Sequence, residues 1–198
     1  PIATIGNVRL SIIDLATGQQ PLSDISGRFW IVFNGEIFNY IELREDLEKK
    51  GVKLKTQSDT EVLVNLFAIY GEKCLNLLNG QFAVAIWDKK EEELFIARDR
   101  VGIRPLFYTV ANGVLYFASE IKALFQNREV KRELNPESLA QIYTFWTGIT
   151  PCTAFRDISE LSPGHYLVYN RKGLEVHKFW ELGDISISVQ THIDYFTV

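Results

Sequence analysis

Asn34-Gly35-Glu36 puts a side-chain amide, a glycine and a carboxylate on three successive residues. The triplet follows the apolar run 29–33 and precedes a helix expected to start near Asn39, so it is expected in a turn at the end of a strand. From there it can aim hydrogen-bond donors and one negative charge at a small polar ligand. Asn and Gly are also ordinary turn residues, and a loop followed by a helix cap would account for the same three types.

The elements that must hold this turn are legible in outline. The β-branched run 8–15 predicts a buried strand, 18–21 a turn and 28–33 a second strand. Tyr40, Leu43 and Leu47 recur at helical spacing, with Asn39 and Glu42 placed for a capping box and Gly51 for the C′ position. Ser58-Asp59-Thr60-Glu61 predicts a second capping box, opening a helix whose apolar face is Val62, Leu63, Leu66, Phe67 and Tyr70. A short helix is expected over 72–78, stopped by Asn79-Gly80. Strands follow over 81–87 and 94–98, then over 106–110 and 114–118 around Asn112-Gly113, a strong hairpin signal. Helices are expected over 121–125 and from Asn135-Pro136 to about Phe145, and a last hairpin joins 164–169 to 174–180. The pattern predicts an α+β domain of two stacked, mostly antiparallel sheets with helices outside, over 1–182, and a tail over 183–198.

Composition narrows the function. With 46% hydrophobic and 23% charged residues in 198, the chain can bury a sizeable core. A net charge of −4 with scattered basic residues argues against a nucleic acid or an acidic membrane as partner. No apolar stretch is long enough to span a bilayer, and no signal-peptide pattern opens the chain, so a cytoplasmic protein is expected. Cys74 and Cys152 have neither metal-ligand spacing nor a disulfide framework, and no metal site is expected.

Five short motifs occur in order: Arg9-Leu10-Ser11-Ile12-Ile13-Asp14-Leu15, Asn34-Gly35-Glu36, Ser58-Asp59-Thr60-Glu61, Ala97-Arg98-Asp99-Arg100-Val101-Gly102-Ile103-Arg104-Pro105-Leu106, and Ser119-Glu120-Ile121-Lys122-Ala123-Leu124. Together they resemble the glutaminase domain of class II, N-terminal-nucleophile (Ntn) glutamine amidotransferases, and the Ile-Lys-Ala-Leu after Ser119-Glu120 points to the asparagine synthetase branch. The resemblance implies an Ntn-hydrolase-type αββα sandwich. It implies that glutamine is hydrolysed to glutamate and ammonia, which passes to an ATP-activated acceptor, aspartate in that branch. It also implies that Asn34 and the Gly35 N–H form an oxyanion hole, where losing one donor typically costs roughly 3 to 4 kcal/mol. Arg9 is expected to hold the glutamine α-carboxylate through its guanidinium fork, with Leu10, Ser11, Ile12 and Ile13 lining the pocket. Glu36 and Asp59 are expected to meet the α-ammonium. Against these stand a surface ion pair for Arg9, a solvated loop carboxylate for Glu36 and a helix-dipole contact for Asp59. The 98–106 and 119–124 segments are expected to be structural; in the family they lie near the route by which ammonia leaves.

The family's nucleophile is an N-terminal cysteine whose own α-amine, with an ordinary pKa of about 7.7 to 8.0, acts as the base. This chain starts at Pro1 and contains no methionine. It is therefore expected to be an amidotransferase domain truncated at its N-terminus and inactive as it stands, since neither Cys74 nor Cys152 carries a free amine. The alternative is a non-catalytic glutamine-binding, scaffold or regulatory domain. No cofactor is expected in this chain; ATP and magnesium belong to a synthetase domain implied beyond it. Glutamine or glutamate and that synthetase domain are the expected partners, and a homodimer is left open.

Overall fold

Side chains on successive strand residues point to opposite faces, and here both faces are apolar. In β2 (Phe29–Ile37), Ile31 and Phe33 pack with Leu43, Leu47, Leu63 and Leu66 on one side. Val32, between them, packs with Leu106, Leu161 and Leu167 on the other. The same alternation in β3 (Gly80–Asp88) sends Phe82, Val84 and Ile86 one way and Ala83 and Ala85 the other. A sheet apolar on both faces must be covered twice, and that requirement generates the layers.

The computed structural model describes residues 3–8 and 18–184. The expected 8–15 strand lies outside them apart from Val8, as do Arg9, Leu10, Ser11, Ile12 and Ile13, and so does the tail from 185 onward. The larger sheet runs β1-β2-β3-β4-β8-β9, with β1 (Leu22–Ser23), β4 (Glu93–Arg98), β8 (His165–Asn170) and β9 (Gly173–Lys178). The smaller runs β6-β5-β7, with β5 (Phe107–Ala111), β6 (Val114–Ala118) and β7 (Ser159–Glu160). Every strand pairing among the described residues is antiparallel. Helices α1 (Tyr40–Lys49) and α2 (Asp59–Tyr70) cover the outer face of the larger sheet. The smaller sheet covers its inner face through Leu106, Tyr108, Leu115 and Phe117. Phe107, Tyr116 and Ala118 of the smaller sheet face outward onto Leu124 of α3 (Ile121–Leu124), with Val130 and Ile158. The expected αββα stack is the observed one. Each fully buried leucine, such as Leu47 or Leu63, contributes on the order of 2 kcal/mol.

Several local expectations need correction. Asn34-Gly35-Glu36 does not form a turn. It lies inside β2, which pairs with β3 without interruption from Phe29↔Asp88 to Ile37↔Gly80. A nine-residue partner strand offers more backbone hydrogen bonds than a turn does, and it overrides the local preference of Asn and Gly. Asn39 caps α1 without a side-chain cap bond: its amide donates to Leu77 O at 3.0 Å and accepts from Asn79 N at 2.9 Å, tying α1 to the 3-10 turn Gly71–Leu77. Ser58 does cap α2, accepting from Thr60 N at 3.1 Å, but Glu61 reaches back to the N–H groups of Lys55 and Thr56 rather than closing the box on Ser58. The two-residue strands β1 and β7 are too short to show a period-2 pattern in sequence. The Asn112-Gly113 hairpin and the Asn135 cap of α4 (Pro136–Phe145) form where expected.

Candidate active site

A cavity of about 750 Å³ opens between the two sheets, lined by residues from β2, β3, the start of α2, the loop before β5, and the β6–α3 junction. Asn34, Gly35, Glu36 and Asp59 all line it. Asn7 and Val8, the two residues before Arg9, line it as well. The size is that of a small-molecule pocket, with room for an amino acid.

Gly35, Asn34 and Asp59 are each placed by an identifiable device. Gly35 is held at φ +149°, and a Cβ there would sit 2.0 Å from Gln81 O, so only glycine lets β2 lie this close to β3 while leaving its backbone open to the cavity. Asn34, half-buried, donates from Nδ2 to Ser119 Oγ at 3.4 Å, which ties the larger sheet to the β6–α3 junction. Asp59 is the first residue of α2 and is almost fully buried. Its carboxylate accepts from Ile37 N at 3.1 Å and lies where the helix dipole favours negative charge. The dipole contact weighed against a ligand role is thus present, and it leaves Asp59 on the cavity wall.

Sequence reasoning did not single out Gln20 as a contributor, and it gave Ser119 and Arg104 only a structural role. Gln20, expected only in a turn, accepts from Phe33 N at 2.6 Å and from Asn7 Nδ2 at 3.0 Å, and donates to Thr60 Oγ1 at 3.3 Å. It joins the strand before Asn34 to the start of α2, and Gln20 and Thr60 both line the cavity. Ser119 and Arg104 line it too. No periodicity marks such residues, because their partners are distant in sequence.

The Arg98–Asp99 pair is structural, as expected, but the two do not bind each other. Arg98 donates to the carbonyls of Arg104 at 2.7 Å, Gly102 at 2.8 Å and Leu161 at 2.7 Å, and pairs with Glu160 at 2.8 Å. Asp99, fully buried, accepts the N–H groups of Phe82, Val101, Ile103 and Arg104. Together they fix the 100–104 loop at the cavity's edge.

Neither cysteine lines the cavity. Cys74 is packed in the core beneath α2, where burial, aided by the Glu72 charge, pushes its thiol up to about 12. A thiol so seldom ionised cannot serve as a nucleophile near neutral pH. Among the described residues no group of three or more His, Cys, Asp or Glu could hold a metal ion, and no helix is long and apolar enough to cross a membrane.

Two stacked antiparallel sheets between helical layers, with amide and carboxylate groups gathered over one cavity, define an Ntn-hydrolase-type sandwich. The chain belongs to the class II glutamine amidotransferases: the family described as "Glutamine amidotransferase domain" matches residues 2–180. It is 35% identical over 194 residues to asparagine synthetase [glutamine-hydrolyzing] 3 of Bacillus subtilis, covering 96% of this chain and 31% of that protein. It is 46% identical over 156 residues to asparagine synthetase [glutamine-hydrolyzing] 1 of the same organism, covering 79% and 24%. Among solved structures, glutamine phosphoribosylpyrophosphate amidotransferase from B. subtilis superposes with a TM-score of 0.56 at 26% identity, over 81% of this chain and 32% of that one. The chain thus spans between 24% and 31% of the length of these two synthetases.

Proposed function

We propose that this domain binds glutamine in the cavity between its sheets and acts as the glutaminase part of an asparagine-synthetase-like amidotransferase. The observation that carries the reading is that Asn34, Gly35 and Glu36 of β2 and Asp59 of α2, from two separate stretches of sequence, line one cavity of amino-acid size.

In this reading Glu36 and Asp59 receive the α-ammonium. Asn7 and Val8 on the wall support the assignment of the following Arg9 to the α-carboxylate, with Leu10, Ser11, Ile12 and Ile13 beside it. Asn34 Nδ2 and the Gly35 N–H take the oxyanion when the amide carbon is attacked. The attacking thiolate is an N-terminal cysteine supplied outside these residues. Collapse of the tetrahedral adduct breaks the C–N bond and expels ammonia, leaving a thioester that water then hydrolyses to glutamate and the free thiol. Aspartate as the nitrogen acceptor is supported by the names of the relatives. Nucleotide and magnesium chemistry is assigned to a separate synthetase region.

The cysteine placements favour a second reading for the chain by itself, as a glutamine-binding module without turnover. Titration calorimetry tests the first step. Heat of binding with glutamine is expected, with an affinity at least about tenfold weaker in Asp59→Asn; no binding at millimolar glutamine overturns the site. A coupled assay on the same sample is expected to detect no ammonia, and sustained ammonia release would contradict the assigned nucleophile.

A further inference from the structure

Arg104 lines the cavity with Asn34, Gly35 and Ser119, yet its Nε is enclosed with no hydrogen-bond partner among the described residues. An enclosed guanidinium N–H without an acceptor is costly, and native structures seldom keep one without a reason. Its backbone is tightly held. The N–H donates to Asp99 Oδ2 at 3.1 Å, and the carbonyl accepts from Arg98 Nε at 2.7 Å. Pro105 follows, which restricts Arg104 to extended conformations.

The same hydrogen bonds locate it. Asp99 Oδ2 also accepts from Phe82 N at 3.1 Å, and Phe82 is the cross-strand partner of Gly35. One carboxylate oxygen therefore links the backbone of Arg104 to the strand position facing Gly35. The Arg104 backbone is thereby tied to the strand segment that carries the amide donors, while Asp59 is anchored on Ile37, at the end of β2. Lys122 also lines the cavity, but its side chain is 81% exposed and pairs with Glu120 at 2.6 Å, so its charge is matched locally.

We infer that Arg104 distinguishes the hydrolysed from the unhydrolysed ligand: its guanidinium holds the γ-carboxylate of glutamate and has only a neutral amide to meet in glutamine. The inference rests on the cavity being the glutamine site. A cavity lined by the Glu36 and Asp59 carboxylates and by a guanidinium whose Nε has no acceptor among the described residues matches a ligand with an ammonium and a distal anion. A carboxylate adds to the guanidinium hydrogen bond a direct attraction between opposite charges and a bidentate geometry that a neutral amide lacks, so glutamate is the tighter ligand.

Calorimetry on the folded chain with glutamate and with glutamine tests this. Wild type is expected to bind glutamate about tenfold more tightly than glutamine, and Arg104→Met to remove most of that difference while changing glutamine affinity less than about threefold. Equal weakening of both ligands would place Arg104 at the shared α-carboxylate and overturn the inference, leaving the site intact. Binding of neither ligand to wild type would overturn the site itself. Nitrogen-15 NMR of the wild-type arginine Nε–H groups, with Arg104 assigned through Arg104→Lys, needs no folded Met variant. The Arg104 resonance is expected to move with glutamate and stay with glutamine; equal shifts with both would reject the role.

Discussion

The Asp59 carboxylate accepts the Ile37 backbone N–H at 3.1 Å, fastening the first residue of α2 to the last residue of β2. The strand that carries Asn34 and Gly35 and the helix that contributes the buried charge are thereby joined directly. Asp59→Asn keeps an oxygen for Ile37 but loses the negative charge. We expect glutamine affinity to fall by at least about tenfold while the melting temperature drops only a few degrees, since a neutral acceptor retains most of one hydrogen bond. A large loss of Tm with affinity unchanged would assign Asp59 to structure alone.

Gly35→Ala tests how closely β2 must approach β3. The added methyl would meet Gln81 O at 2.0 Å and Phe82 Cα at 2.7 Å, at a backbone angle that side chains rarely adopt. Overpacking and backbone strain each cost on the order of 1–3 kcal/mol, so urea denaturation should show a loss of about 2–5 kcal/mol. A stability within 0.5 kcal/mol of wild type, roughly the level of a neutral surface change, would refute the close approach.

Arg98→Met removes the guanidinium that gathers three carbonyls and Glu160 at the base of the 100–104 loop. Arg98 is 6% and Glu160 20% exposed, so the variant leaves a largely enclosed carboxylate without its partner. Breaking such a pair costs about 3–5 kcal/mol. Adding Glu160→Gln to Arg98→Met should recover part of the loss in a double-mutant cycle, because the stranded charge is then gone.

Asp88 should make stability acid-sensitive. Burial pushes its carboxyl up, but the Arg28 guanidinium, at 2.8 Å and 2.5 Å, and the N–H groups of Lys90 and Glu91 outweigh burial and hold the pKa below its ordinary 3.8. Between the lowered folded value and the ordinary unfolded one, the unfolded chain binds more protons, so stability rises with pH across that window. The contribution is complete above an ordinary carboxyl pKa of about 3.9 and is lost as pH falls through the folded value. Urea midpoints measured from about pH 3 to pH 6 should fall on the acid side, and less steeply in Asp88→Asn. An identical slope in the variant would assign the acid sensitivity to other groups.

What could be foreseen from residue order was local or periodic. The apolar spacing of α2, the Asn112-Gly113 hairpin and the Asn135-Pro136 start of α4 depend on neighbours within a few residues, so they are visible in the chain itself. Asn34, Gly35, Glu36 and Asp59 stood out as candidates because their types suit an amino-acid ligand, and all four meet at one cavity. Contacts across the fold could not be foreseen. Gly35 sits in a strand rather than a turn because β3 arrives from more than forty residues away to pair with it. Asn39 serves Leu77 and Asn79 instead of its own helix, and Gln20 bridges β2 and α2. Arg104 sits in a motif expected to be structural and becomes a candidate site residue only once packing encloses its Nε beside the cavity. Local preferences are worth tenths of a kcal/mol to about one, whereas strand pairing and the enclosure of polar groups are worth several. Where the two compete, the long-range term prevails, and that is where this site acquires its shape.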